Sequence, residues 1–130
     1  MYIPHAPERS YWEGEWLFPV TKTPVAIALR GTVDGGPDAQ SRAFYLSLPE
    51  RFDRIVELAR PALDRVCREW LGRPLNADVW RDVKLAGFSV EDPGAVPGSW
   101  DVSFETTGEK WLGITVPFVG DRPDEPVVDT

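Results

Sequence analysis

The sequence predicts an α+β domain of two layers, in which an antiparallel sheet carries one long helix packed on one face. The chain of 130 residues has the length of a single domain. Apolar residues recur at helical spacing over one long segment, residues 47–72. Shorter segments on both sides of it alternate between apolar and polar residues, as half-buried strands do. The predicted order is β-β-β-α-β-β-β, within one domain that covers residues 1–130.

Three strands are predicted before the helix. The first covers residues 15–20 and the second residues 24–33. The second is apolar on both faces, which is typical of a central strand. Residues 42–47 are predicted as a third strand, with the start of a helix as the alternative. Residues 1–11 are expected to form a loose arm, because they contain two prolines and show no periodicity.

The helix is the clearest predicted element. Ser47 and Glu50 have the spacing of a capping box, which sets its expected start. Pro61 lies inside the helical pattern without changing its phase, so we expect one kinked helix that ends at Gly72. Its last apolar residue is expected to be buried, so that Trp70→Ala would cost about 3–5 kcal/mol. The apolar stripe consists of Phe52, Ile55, Val56, Ala59, Leu63, Val66, Cys67 and Trp70.

Three further strands are predicted after the helix, over residues 81–90, 99–106 and 112–119. In the last two, every second residue is apolar and is expected to face the core. Pro117 cannot donate to a ladder, so the last strand should be an edge strand or have one open side. The residues expected to point inward are Trp100, Val102, Phe104, Leu112, Ile114, Val116 and Phe118.

The negative charge is concentrated near the C-terminal end. The formal net charge is −7, and the first ninety residues carry twelve acidic and twelve basic side chains, so the whole excess lies in residues 91–130. Such a field repels nucleic acid and anionic membranes and attracts a basic partner. The alternative is that the acidic surface serves solubility alone. The acidic tail, residues 120–130, should be mobile unless Val127 and Val128 dock.

Few residues could carry catalysis. The single histidine, His5, lies in the predicted loose arm, so neither a zinc site nor a catalytic triad is expected. Cys67 is expected to be a small buried hydrophobe. Asp101 and Glu105 are the remaining acid–base candidates, but four residues of strand separate them by about 13 Å, which is too far for a retaining glycosidase pair and marginal for an inverting one. Charged residues that alternate outward are typical of the solvated face of a strand. We therefore predict a protein that is not an enzyme and uses no cofactor.

The same features bear on the compartment. A single cysteine fits a reducing environment. The first residues lack the pattern of a signal peptide, and no apolar run approaches the roughly 20 residues that a membrane span needs. We expect a cytoplasmic protein.

A loop at residues 37–40, the long helix and the W-x-V-x-F-E strand at residues 100–105 together resemble a loose group of small bacterial domains of unknown function. Some domains of this group are encoded beside polymorphic toxins and are inferred to be immunity proteins. The resemblance covers roughly residues 14–119. It implies an antiparallel sheet with one helix across it and a role in neutralising a partner.

Two functions follow from these observations. The first is a binding protein, for which we expect an immunity protein that blocks a basic toxin. The second is a small ligand-binding protein or enzyme that uses carboxylates in a cleft. A shallow acidic face would favour the first and a deep carboxylate-lined pocket the second. The residues predicted to bind the partner are Asp101, Glu105, Glu109, Asp121 and Asp124.

Overall fold

A mostly antiparallel sheet and one long helix form the fold, which confirms the predicted α+β class. The computed structural model describes residues 2–3, 11–32, 36–37, 39–90 and 98–130, and side chains within 14–28, 42–90 and 98–130.

The sheet contains nine strands in the described part of the chain. Seven lie side by side in the order β1-β2-β3-β5-β6-β7-β8, while β4 pairs with β3 and β9 pairs with β7. The strands are Tyr2–Ile3 (β1), Tyr11–Phe18 (β2), Thr23–Thr32 (β3), Gly36–Pro37 (β4), Val83–Val90 (β5), Ser99–Thr106 (β6), Gly113–Val119 (β7), Arg122–Pro123 (β8) and Val127–Asp129 (β9).

One strand pair corrects the prediction of an antiparallel sheet. β3 and β5 run parallel, with Ala26 opposite Gly87 and Ala28 opposite Ser89. The helix between them explains the direction, because it runs back across the sheet and returns the chain to the end at which β3 began. Parallel neighbours need a long crossover of this kind.

The helix α1 covers Ala39–Val66 and begins earlier than predicted, so the third strand expected at residues 42–47 is wrong. Tyr45 and Leu48 are buried at helical spacing and extend the apolar stripe upstream of the expected start. Ser47 is not a cap, because its hydroxyl donates to the carbonyl of Phe44 one turn back.

The helix end confirms one expectation and corrects another. α1 passes Pro61 without interruption, and the chain leaves the helix at Gly72, whose φ of 71° is left-handed. Between them, Cys67–Leu71 form a π-helical turn. This wider turn shifts the phase of the last residues. Trp70 is therefore 40% exposed and does not close the core as predicted.

The core lies between α1 and one face of the sheet. All seven residues predicted to point inward from β6 and the last strand are buried. Trp100 stacks on Phe118 with 4.4 Å between ring centroids. Tyr45 joins the helix to the parallel pair, because its buried hydroxyl donates to the carbonyls of Ala28 and Phe88.

The tail is paired rather than free. β8 pairs with Phe118–Val119 and β9 with Gly113–Thr115 on the outer side of β7. Pro117 lies between these two pairings, in agreement with a strand that is partly open on one side. Val128 packs against the core, while Val127 points outward.

The N-terminal arm is described only in part. Tyr2 and Ile3 pair with Trp12 and Tyr11. The rest of the arm before Tyr11, which includes His5, lies outside the described residues.

Candidate binding face

The two faces of the sheet differ in what lies against them. α1 packs on one face, and no helix or turn in the described ranges covers the other. We call this other side the open face; it carries the residues of the strands that alternate with the core positions. Its centre is built from small side chains, which are Ala26, Ala28, Gly87, Ser89, Ser103 and Thr115.

These small residues form the floor of an open groove of about 690 Å³. At Gly87 the floor has no side chain at all, and the neighbouring strand explains why. A Cβ atom on Gly87 would lie 2.4 Å from the carbonyl oxygen of Ala26. Because this distance is shorter than van der Waals contact allows, the close approach of β3 and β5 requires glycine there.

Large apolar side chains lie around the floor. Leu17 on β2 is 66% exposed and Trp111, just before β7, is 49% exposed. A Cβ atom on Gly113 would be 3.2 Å from the Trp111 ring, so this ring lies over Gly113 on the open face. The strands that carry Leu17 and Gly113, β2 and β7, are four interstrand spacings apart, which is about 19 Å.

Carboxylates outnumber basic groups on the same face. Glu15, Asp101, Glu105 and Asp129 lie at open-face positions, against Lys84 and Arg122. Asp101 accepts a hydrogen bond of 2.8 Å from the hydroxyl of Ser89. Glu105 lies 3.3 Å from the ammonium group of Lys84. The face therefore carries charges of both signs, and among the described side chains the acidic groups outnumber the basic ones.

The structure does not bring the five predicted partner-binding residues together. Asp101 and Glu105 share the open face, and Glu109 is exposed on the loop between β6 and β7. Asp121 lies on the helix side, 4.0 Å from Arg51 of α1. The carboxylate of Asp124 accepts a hydrogen bond from the next backbone amide in the chain.

Three residues of the open face were missed from the sequence, namely Glu15, Leu17 and Asp129. Glu15 and Asp129 belong to strands at opposite ends of the chain, and only the pairing of the sheet places them on one face with Asp101. The alternation of β2 was the available signal for Glu15, since its neighbours Trp16 and Phe18 point inward.

A second groove lies on the helix side of the sheet. It has a volume of about 600 Å³ and lies between α1, the turn after β2 and the 3-10 turn Val79–Arg81. Trp80, which is 40% exposed, stacks on Phe52 in this groove with 5.8 Å between ring centroids. Among its carboxylates, Glu57 accepts a hydrogen bond from Arg60, which also donates to the carbonyl of Ala77.

The candidate catalytic groups are separated. Cys67 is fully buried, and burial raises the pKa of its thiol, with the charge of Asp82 adding to the effect. A thiol with a raised pKa is a poor nucleophile at neutral pH. Within the described side chains, no group of three or more His, Cys, Asp or Glu residues could hold a metal ion.

The chain matches no protein-family model, no curated protein and no solved structure. In the part of the chain that the structure describes, no helix combines the length and the apolar character needed to cross a membrane.

Proposed function

We propose that this protein is a non-enzymatic binding protein that recognises a basic protein partner through the open face of its sheet. The observation that carries the proposal is the combination of exposed Leu17 and Trp111 with an excess of carboxylates, on a face that no helix or turn among the described residues covers. Contiguous apolar surface rimmed by polar groups marks protein interaction sites, and the floor of small residues beside Leu17 and Trp111 adds apolar surface to this face.

The shape of the open face supports a protein partner. Its groove is open and shallow, with a floor of small residues, and it is more open than the helix-side groove, whose lining includes the carboxylates of Asp53, Glu57 and Asp78. Tryptophan is also the residue type most enriched among those that dominate binding energy. Trp111 is fixed over Gly113 and offers its remaining exposed surface to a partner.

The charge supports a basic partner. The chain has a net charge of −7, and complementary charge mainly raises association rates. An immunity protein that blocks a basic toxin in the cytoplasm is the particular form of this function that we propose. The reducing conditions of that compartment suit a chain with one buried thiol.

The proposal is tested by charge reversal on the open face. The partner is first captured with the full chain as bait and identified. The triple variant Glu15→Lys, Glu105→Lys, Asp129→Lys should then associate with it at least about tenfold more slowly at low salt, because the long-range attraction is reversed. Association is followed by stopped-flow fluorescence over a series of salt concentrations.

A matched control carries the same change in charge on the opposite side of the molecule. Glu50→Lys, Asp53→Lys, Glu57→Lys alters three exposed carboxylates of α1. It should retain most of the wild-type rate. If the α1 variant slows association and the open-face variant does not, the open face is not the recognition surface.

A small-ligand site in the helix-side groove is the second candidate function. Its volume of about 600 Å³ lies within the range of ligand sites, and the stacked Phe52 and Trp80 provide an aromatic wall. A ligand found by thermal-shift screening should lose binding in Trp80→Ala and retain it in Trp111→Ala. The reverse pattern would contradict this second function.

A further inference from the structure

We infer that the partner presents a basic, amphipathic α-helix to the open face, lying across the strands over the floor of small residues, with Leu17 and Trp111 along one of its flanks. This inference rests on the proposed function and names the element that the open face accepts. Three features carry it: the position of the groove on a face rather than an edge, its shape, and its charge.

Hydrogen bonding favours a helix. The groove lies over the middle of the sheet, where the backbone groups of β3, β5 and β6 are already paired with each other. An extended segment laid on such a face would have no partners for its own amides and carbonyls. A helix satisfies its backbone groups internally and needs only side-chain contacts from the surface beneath it.

The shape also favours a helix over a flat surface. The floor residues are small, whereas the neighbouring row on one side carries the larger side chains of Leu17, Glu105 and Trp111. The row on the other side carries Asp101. A convex cylinder can enter such a groove, but a flat sheet would be held away by the rim. The separation of about 19 Å between the strands of Leu17 and Gly113 corresponds to about 13 helical residues.

The carboxylates of the open face favour basic side chains on the partner's helix. Glu105 and Asp129 lie in the row of residues on one side of the floor, and Asp101 lies in the row on the other side. Glu15, opposite Ala26, lies at one end of the floor. Lys or Arg on the flanks of the bound helix would therefore find carboxylates on both sides. A second copy of this chain is a poor occupant. Its own long helix is α1, which packs on the core, and two chains of net charge −7 repel each other.

The test compares two synthetic peptides of identical composition, about 14 residues each, made from Leu, Ala and Lys. In one, Leu recurs at helical spacing; in the other, Leu and Lys alternate as in a strand. We expect the helical pattern to bind the full chain at least about tenfold more tightly. Affinity is measured by titration calorimetry, and the bound position by amide chemical-shift changes.

The location of the shifts is part of the expected result. The largest changes should fall on the amides of Ala26, Gly87, Ser103 and Thr115. Ser103→Trp should weaken binding at least about tenfold by filling the floor. Leu46→Trp, on the exposed side of α1, is the matched control and should bind as wild type. The shift map needs no variant, so it decides the position even if Ser103→Trp does not fold.

The outcomes separate the two proposals. If the alternating peptide binds as tightly as the helical one and shifts the same amides, the inference of a helical partner segment is wrong, while the open face remains a binding surface. If neither peptide shifts these amides, or both shift those of the helix-side groove, the open face does not recognise basic segments. The proposed function is then wrong, and so is the inference of a helical partner segment.

Discussion

Trp100 and Trp70 show how the surroundings of a residue decide its contribution to the stability of the fold. Trp100 is 5% exposed, stacks on Phe118 and donates to the carbonyl of Gly120. Trp70 is 40% exposed, and the ammonium group of Lys110 lies over its ring, 5.7 Å from the ring centroid.

We therefore expect Trp100→Ala to lower the free energy of unfolding by about 3–5 kcal/mol, as loss of a buried large aromatic does. Trp70→Ala should lower it by only about 1 kcal/mol, the order of an exposed cation–π contact. Urea unfolding of both variants checks this. Equal losses would mean that the π-helical turn does not expose Trp70.

Asp82 holds the segment that follows the helix. Its buried carboxylate accepts hydrogen bonds of 2.7 Å from Arg73 and 2.6 Å from the amide of Asn76. Burial by itself would raise the pKa of Asp82, but these two hydrogen bonds and the charge of Arg73 outweigh it and lower the pKa below its usual value. The stabilisation is present above the unfolded-state pKa of about 4 and is lost as the pH falls through the lower, folded-state pKa.

Asp82→Asn tests this arrangement. At pH 7 the free energy of unfolding should fall by about 1.5–3 kcal/mol, because hydrogen bonds to a charged group are lost. Below about pH 4 the difference from wild type should shrink. Asp53→Asn, at an exposed position on α1, serves as the control and should stay within about 0.5 kcal/mol of wild type. A pH-independent loss in Asp82→Asn would show that the charge is not involved.

The parallel pair β3–β5 is the element that joins the two halves of the sheet. Gly87→Ala would place a methyl group against the carbonyl of Ala26, so we expect a loss of about 1–3 kcal/mol. A Cβ atom on Gly14 of β2 would have no neighbouring atom within 4 Å, so Gly14→Ala should not lower the free energy of unfolding and should raise it by up to about 1 kcal/mol. If both variants unfold at the same urea concentration, β3 and β5 do not approach as described.

Elements in which the apolar pattern repeats over many residues were predictable from the sequence, and elements too short to show such a pattern were not. β6 has the predicted bounds, because its alternation runs through all eight residues. The short strands β1, β4, β8 and β9 contain two or three residues each and carry no period. The segment around Tyr45 was misassigned because its aromatic residues suit a strand locally, while its place in the helix is set by packing on β3 and β5.

At the scale of the whole molecule, the acidic excess was visible in the sequence but its distribution was not. Glu125 and Asp121, from the acidic tail, lie beside Arg65 and Arg51 of α1. Glu15, from the neutral part of the chain, joins Asp101 on the open face. Net charge along a chain carries no information about strand order, so the candidate face could be assembled only from the sheet.

The central claim is that the open face, rather than the helix side, binds the partner. Trp111 and Trp80 are exposed to similar extents, at 49% and 40%, but lie on opposite sides of the sheet. The most direct measurement is the Kd of the captured partner for Trp111→Ala and Trp80→Ala. We expect Trp111→Ala to raise Kd at least about 30-fold, as loss of a binding hot spot does, and Trp80→Ala to change it less than about threefold. A wild-type Kd for Trp111→Ala with a large loss in Trp80→Ala would contradict the account and place recognition in the helix-side groove.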